Sequence, residues 1–217
     1  MMTTPRIALI HALAHSVEPI NAEFDQAWPE AIRMNLLDDS LSADLARQGR
    51  GLDAVMHQRF ETLAAYAEGT GAQAILFTCS AFGPCIEAAA ARRPHMPVLK
   101  PNEAMIADVA SVTDPVGLIA SFAPTLASMP AEFPASVELK TALVSQALDA
   151  LNRGDTATHD ALVVQAARQL ADQGCHAIAL AQFSMARAAP AVTQMTGLPV
   201  FTTPGSAVRL LRRRLSA

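Results

Sequence analysis

The apolar positions of this chain fall into short, nearly continuous runs separated by longer stretches with helical spacing. In the first hundred residues the runs are Arg6–His11, Arg33–Asp38, Gln73–Cys79 and Met96–Leu99. In the second hundred they are Val116–Ser121, Val137–Leu143, His176–Gln182 and Pro199–Thr202. Runs this short, nearly continuous in apolar residues, predict strands buried on both faces, as in a parallel sheet. Between them the spacing predicts helices, notably over Leu52–Glu68 with Val55, Phe60, Leu63 and Ala67 on the core side. Regular alternation of strand and helix predicts an α/β fold.

The pattern is written twice. GAQAILFTCSAF, starting at Gly71, and GCHAIALAQFSM, starting at Gly174, register at a shift of 103 residues, which places Cys79 on Gln182. Each segment runs into an alanine-rich helix and then a second apolar stretch, MPVLKPNEAM in one case and LPVFTTPGSAV in the other. Upstream, RIALIHA near Arg6 finds its counterpart in VGLIASF near Val116. A repeat of this kind decides architecture. The expectation is two pseudo-symmetric three-layer α/β/α halves, residues 1–100 and 101–204, each with a four-stranded parallel sheet. A C-terminal helix over 205–217 is expected to join the first half. Open parallel sheets bind ligands at the carboxyl ends of their strands. The active site is therefore expected in the cleft between the halves. Cys79 and Gln182, each ending a strand and opening a helix, are expected to face one another there.

Composition narrows the function classes. With 51% hydrophobic and 17% charged residues among 217, the chain is too apolar to be disordered. Its 44 alanines against 8 phenylalanines, one Trp and one Tyr favour close helix packing over an aromatic-rich sandwich. A net charge of −4 offers no field for nucleic acid, and the arginines of Arg209–Leu215 read as the solvated face of an amphipathic helix. No membrane span is expected, and the charge-free run Pro115–Ala131 is broken by Pro124 and Pro130. Arg6 followed by IALIHALA has the outline of a signal peptide, but the run is short and His11 interrupts it, so it reads as the first strand. The low charge leaves room for a homodimer. Three cysteines without a CxxC make neither a disulfide framework nor a zinc ribbon, and suit a reducing cytoplasm.

No GxGxxG, GxxxxGK[ST] or HExxH motif is present. No metal site is expected: His11 and His15 follow a strand rather than sharing a helix face, and Asp38-Asp39 precede a helix and read as caps. Cys79 carries the chemistry. At a helix N-terminus the macrodipole and free amides favour thiolate, which predicts a pKa below the ordinary thiol value and a group able to abstract a proton or attack carbon. Cys85 and Cys175 read as packing residues. Removing a proton α to a carboxylate creates enediolate character, so hydrogen-bond donors are required beside the base. His11 and Ser16 in HALAHS, Ser121 and Thr125 in ASFAPT, Ser80 and Ser184 are the candidates, although each hydroxyl is also of a helix-capping type. Lys100 is a candidate partner for a distal carboxylate, and Arg187 reads as a solvated helix flank. Asp155 reads as a helix cap, and His159, four residues on, is the first candidate should a second base be needed.

FTCSAFG at a strand end, with the repeated GCHAIALAQFS, resembles the aspartate/glutamate/hydantoin racemase superfamily over essentially the whole chain. The resemblance implies a small carboxylic-acid or amino-acid substrate held between two cysteines, one from each half. One removes the α-proton and the other returns a proton to the opposite face, without pyridoxal phosphate or metal. Cys79 matches the first cysteine, while Ser80 and Ala81 stand where the family carries Asn-Thr. Gln182, Phe183 and Ser184 replace the second cysteine and its companions. The segment from Ser121 to Thr125 is similar to the family's Thr-rich carboxylate-binding loop. An amide cannot exchange protons near neutrality. The resemblance thus implies an isomerase or lyase of one-cysteine chemistry, namely deprotonation, decarboxylation or double-bond isomerisation, with Gln182 hydrogen-bonding the substrate. The alternatives are a racemase with a non-cysteine second base and a non-catalytic carboxylate binder.

Overall fold

The computed structural model describes residues 4–49, 51–111 and 115–216. Residues 1–3 and 217, the outermost parts of the expected first half and of the expected C-terminal helix, lie outside the described residues. Eight strands among the described residues form two parallel sheets of four. The first contains β1 (Arg6–His11), β2 (Ile32–Leu37), β3 (Ala74–Phe77) and β4 (Val98–Leu99), in the order β2-β1-β3-β4. The second contains β5 (Val116–Ala120), β6 (Leu139–Leu143), β7 (Ala177–Leu180) and β8 (Val200–Thr202), in the order β6-β5-β7-β8. The two topologies are the same, as the repeat requires. The chain divides into two compact units, one of Met1–Pro101 with Ala207–Ala217, the other of Asn102–Ser206.

In the first unit the helices are α1 (Val17–Ala27), α2 (Ser40–Gln48), α3 (Ala54–Gly69) and α4 (Gly83–Ala91). Ala8, Ile10, Ile75 and Phe77 form one face of the sheet and share a core with Leu41 of α2, Phe60 and Ala64 of α3, and Ile86 of α4. The alternate residues Ile7, Leu9 and Leu76 are equally buried on the opposite face. The helix expected over Leu52–Glu68 starts at Ala54, where Asp53 caps it by accepting from the Met56 N–H at 2.9 Å. Its core side is Met56, Phe60, Ala64 and Ala67, whereas Val55 is 60% exposed. The expected placement of Val55 is corrected by the helical period: each residue turns about 100°, which carries Val55 off the stripe that Met56 and Phe60 define. Arg93, buried just beyond α4, donates to Glu61 and Glu68 of α3 at 2.8–3.0 Å and so ties the two helices together.

In the second unit the helices are α5 (Glu103–Val109), α6 (Ala123–Ser128), α7 (Ser145–Asn152), α8 (Thr156–Asp172), α9 (Ala189–Thr196) and α10 (Thr203–Ser216), the last continuing into the first unit from Ala207. One face of the sheet packs on α7, α8 and α9 through Val163, Leu170, Ile178 and Val192. The other packs on α5 through Met105 and Val109. Gly117 of β5 is required by the first of these contacts. A Cβ there would lie 2.9 Å from Ile178 Cδ1 and Leu170 Cδ1, so only glycine lets α8 sit this close to the strand.

Candidate active site

In both sheets the strand order reverses between the two central strands, so the crevice at their carboxyl ends is where a doubly wound sheet receives a ligand. In the first unit the segments leaving that point are those after β1 and β3. In the second they are those after β5 and β7. His11, Cys79, Ser121 and Gln182 all lie on these segments.

Cys79 follows β3 in extended conformation and precedes a 3-10 turn, Ser80–Phe82, which leads into α4. Its sulfur receives the N–H of Ala81 and the hydroxyl of Ser42 from α2. Burial nevertheless pushes the thiol up from its ordinary pKa. The lowered value expected from a helix N-terminus is thus corrected. Cys79 opens only a three-residue turn, and removal from water penalises thiolate more than these two donors favour it. A narrow cavity beside it, too small to hold a water molecule, is lined by Ile10, His11, Ala12, Leu41, Phe60 and Phe77. Phe60 forms its floor, stacked on Phe77 and tilted against Phe82, with ring centroids 5.2 and 4.9 Å away.

His11 ends β1 and is buried. The directions of its hydrogen bonds follow from one carbonyl. The Val17 carbonyl can only accept, so Asn21 Nδ2 donates to it at 2.7 Å and to Asn35 Oδ1 at 3.0 Å. Asn35 Oδ1 therefore accepts from His11 Nε2 as well, at 3.0 Å. This places the ring proton on Nε2 and leaves Nδ1 to accept from the Thr78 hydroxyl at 2.8 Å. Burial holds the imidazole below its ordinary pKa, against the opposing effect of the Asn35 bond. His11 is thus a neutral residue that orients Thr78, the neighbour of Cys79.

In the second unit Gln182 follows β7 in extended conformation and precedes a 3-10 turn, Phe183–Ala188. Its Oε1 accepts the Ser121 backbone N–H at 2.6 Å and the Ser121 hydroxyl at 3.1 Å. The backbone donor fixes which end of the amide is oxygen. Nε2 is left as the donor end of the side chain. Thr125 on α6 and Ser184 in the turn after Gln182 are buried. Arg187 is exposed, as a solvated flank should be, and donates through Nε to Asp160 at 3.0 and 3.2 Å. His159 is buried, with Nδ1 2.7 Å from Asp160 Oδ1 and Nε2 without a partner. Asp155 caps α8, accepting from the Thr158 N–H at 3.0 Å.

The structure thus joins His11 to Thr78, the residue before Cys79, and joins Gln182 to Ser121. Ser16 is buried at the start of α1, Ser80 is half-buried, and Lys100 donates to Glu87 Oε1 at 2.6 Å. Asp38 pairs with Arg59 and accepts both the hydroxyl and the backbone N–H of Ser40 at the start of α2, while Asp39 makes no side-chain cap, so the expected capping role is corrected for Asp39. No group of three or more His, Cys, Asp or Glu side chains among the described residues is arranged to hold a metal ion. Burial pushes Cys85 up to about 11, with the Asp53 charge adding to the shift. Sequence reasoning missed Ser42, Asn21 and Asn35. Asn35 had one signal, being the lone polar residue within the run MNLL. Ser42 had none, since only the folded chain brings α2 against Cys79.

The family model described as Asp/Glu/Hydantoin racemase matches residues 14–211. No curated protein matches the chain. Among solved structures, glutamate racemase of Bacillus anthracis superposes with a TM-score of 0.74 at 14% identity, covering 100% of this chain and 83% of that one. Aspartate racemase of Picrophilus torridus gives 0.73 at 12% identity, with 98% and 94% covered. A glycine-to-cysteine mutant of arylmalonate decarboxylase gives 0.66 at 18% identity, also with 98% and 94% covered. At these identities the likeness is one of fold, and the family model supplies the assignment. The chain belongs to the Asp/Glu/hydantoin racemase family.

Proposed function

We propose that the protein is a cofactor-independent isomerase or lyase that transfers a proton beside the carboxylate of a small acid, with Cys79 as its one thiol acid or base. The observation that carries this reading is the pair of groups at equivalent strand ends: a thiol held by Ser42 and Ala81 after β3, and an amide after β7. Because Ser121 occupies Gln182 Oε1, the side chain offers N–H groups, which suit a carboxylate and cannot serve as a base. A thiol raised by burial is a proton donor near neutrality. Decarboxylation calls for such a donor: the bond to the leaving carboxylate breaks, carbon dioxide departs, and the electron pair rests in an enediolate. Cys79 then gives its proton to carbon, and water reprotonates the thiolate. Carboxylate donors in this reading are Ser16, Ser80, Thr125, Ser184 and Lys100, beside Gln182 Nε2, while His11 and Ser121, whose donors are committed to Asn35 and Gln182, position Thr78 and Gln182. A reducing cytoplasm suits an enzyme whose working group is a free thiol.

The test is proton exchange or product labelling in D₂O across aspartate, glutamate, malonates and hydantoins, by NMR. We expect deuterium at the α-carbon, made with one configuration and abolished in Cys79→Ser. Labelling that survives in Cys79→Ser overturns the reading, and no labelling together with an unreactive thiol points to the carboxylate binder. Full interconversion of enantiomers by the unaltered protein selects the second reading, racemisation with a non-cysteine base. The partnerless Nε2 of His159 is the observation that favours it.

A further inference from the structure

Ser42 lies two residues into α2, and helix geometry separates its side chain from those of Ser40 and Asp44. Residues four apart share a face, whereas residues two apart point about 200° from one another. Ser40 and Asp44 therefore form one side of α2, and Ser42 the other. On that other side Leu41 is buried and lines the cavity beside Cys79, and Leu45 packs against the same core. The outer side is gripped by a single residue of α3. Arg59 donates through Nη2 to Asp38 Oδ2 at 2.8 Å and to Ser40 Oγ at 2.5 Å, and through Nη1 to Asp44 Oδ2 at 2.8 Å. Ser40 Oγ in turn donates to Asp38 Oδ1. The next residue of α3, Phe60, lies about 100° further round the helix and forms the floor of the cavity. One turn of α3 thus sets both the cavity floor and the rotation of α2.

We propose that Arg59 is a positioning residue for the reactive thiol, acting through Ser42: by gripping α2 before and after that serine, it keeps the Ser42 hydroxyl donated to the Cys79 sulfur. The proposal rests on Cys79 being the working thiol. A guanidinium suits the task because its fork reaches two carboxylates and a hydroxyl at once, which a lysine ammonium cannot do in fixed geometry. Of the groups lining the cavity with Cys79, His11 alone is an ordinary titrating residue, and both of its nitrogens are engaged. From α4, Cys85 belongs to the same core and ionises only at about 11. Neither group touches Ser42 or Arg59 in the bonds described.

The test reads the thiol itself and needs no substrate. The rate of Cys79 alkylation by iodoacetamide, mapped to its peptide, is followed against pH in the intact protein. Loss of the Ser42 donor removes one hydrogen bond to a charged group, so Ser42→Ala is expected to slow the reaction roughly tenfold below the midpoint and move the midpoint up by about one unit. Ser42→Thr restores the profile. Arg59→Met moves it in the same direction, but adds nothing in the Ser42→Ala background, because its effect passes through that hydroxyl. Equal shifts from Arg59→Met in both backgrounds overturn the proposal, since the guanidinium would then act directly as a charge. So does a profile that ignores Ser42. Asp44→Asn, which releases one arm of the grip, serves if Arg59→Met does not fold. A Cys79 that resists alkylation at every pH overturns the proposed function as well, whereas a labelled thiol indifferent to Ser42 overturns the clamp alone.

Discussion

His11 is a base that the fold prevents from acting as one. Its Nε2 proton is committed to Asn35, its Nδ1 lone pair to Thr78, and burial holds its pKa below the usual imidazole value. A proton added to Nδ1 would turn an acceptor into a donor and force the Thr78 hydroxyl proton onto the Ile10 carbonyl, 3.4 Å away. The consequence for stability has a definite sign. The unfolded chain takes up a proton at His11 near pH 6.5, the folded chain only at lower pH. Stability is therefore unaffected by this group above that value, and falls as pH drops through the window below it. We expect urea unfolding at a series of pH values to show this loss, and His11→Gln to flatten its slope in that window whatever it does to absolute stability. An unchanged slope would show that the imidazole titrates freely, against the network drawn from the Val17 carbonyl.

At the scale of elements, strands were legible and their partners were not. The central strands are apolar apart from Arg6 and His11 at the two ends of β1, so β1, β3, β5 and β7 stand out without alignment, and the shift between Gly71 and Gly174 carries one half onto the other. Their ends were less sharp: the run Gln73–Cys79 contributes only Ala74–Phe77 to β3, although Thr78 N–H still donates to Ile10 O at 3.0 Å. Cys79 and Gln182 were legible because the repeat aligns them. Ser42 and Arg59 were not, because the approach of α2 and α3 to a strand end depends on packing over long sequence separation. Gly117 belongs with these tertiary facts. The sequence VGLIA offers no reason for glycine at that place, yet Leu170 Cβ stands 3.1 Å from where its Cβ would be. Leu170 Cβ is anchored to the helix backbone, so α8 itself must yield. We expect Gly117→Ala to cost about 1–3 kcal/mol, read as a lower denaturant midpoint with an unchanged slope. A cost near zero would mean that α8 is free to shift on β5.

At the scale of the whole molecule, the first unit is discontinuous in sequence: its sheet is finished by residue 99, yet it includes the residues that follow 206. Ala207, Val208 and Leu211 of α10 are fully buried, and Arg212 Nη1 donates to the Ala27 carbonyl at the end of α1 at 2.8 Å. The unit that carries Cys79 thus includes a helix more than a hundred residues away in sequence. Removing residues 207–217 exposes the surfaces that Val208 and Leu211 cover. At ~1.5–3 kcal/mol for each such side chain, the loss is roughly 3–6 kcal/mol. The loss should fall on one unit, because these buried side chains all belong to it. The single tryptophan offers a clean reading, since Trp28 is buried in that unit and stacks on Phe24 at 6.1 Å. We expect the truncated chain to lose its Trp28 fluorescence signature and its Cys79 alkylation profile at lower urea than the full chain. Amides of β5 and β7 should keep their hydrogen-exchange protection over the same range. If protection in β5 and β7 falls in step with the Trp28 signal, the two units are one cooperative structure, and the helix stabilises the molecule as a whole.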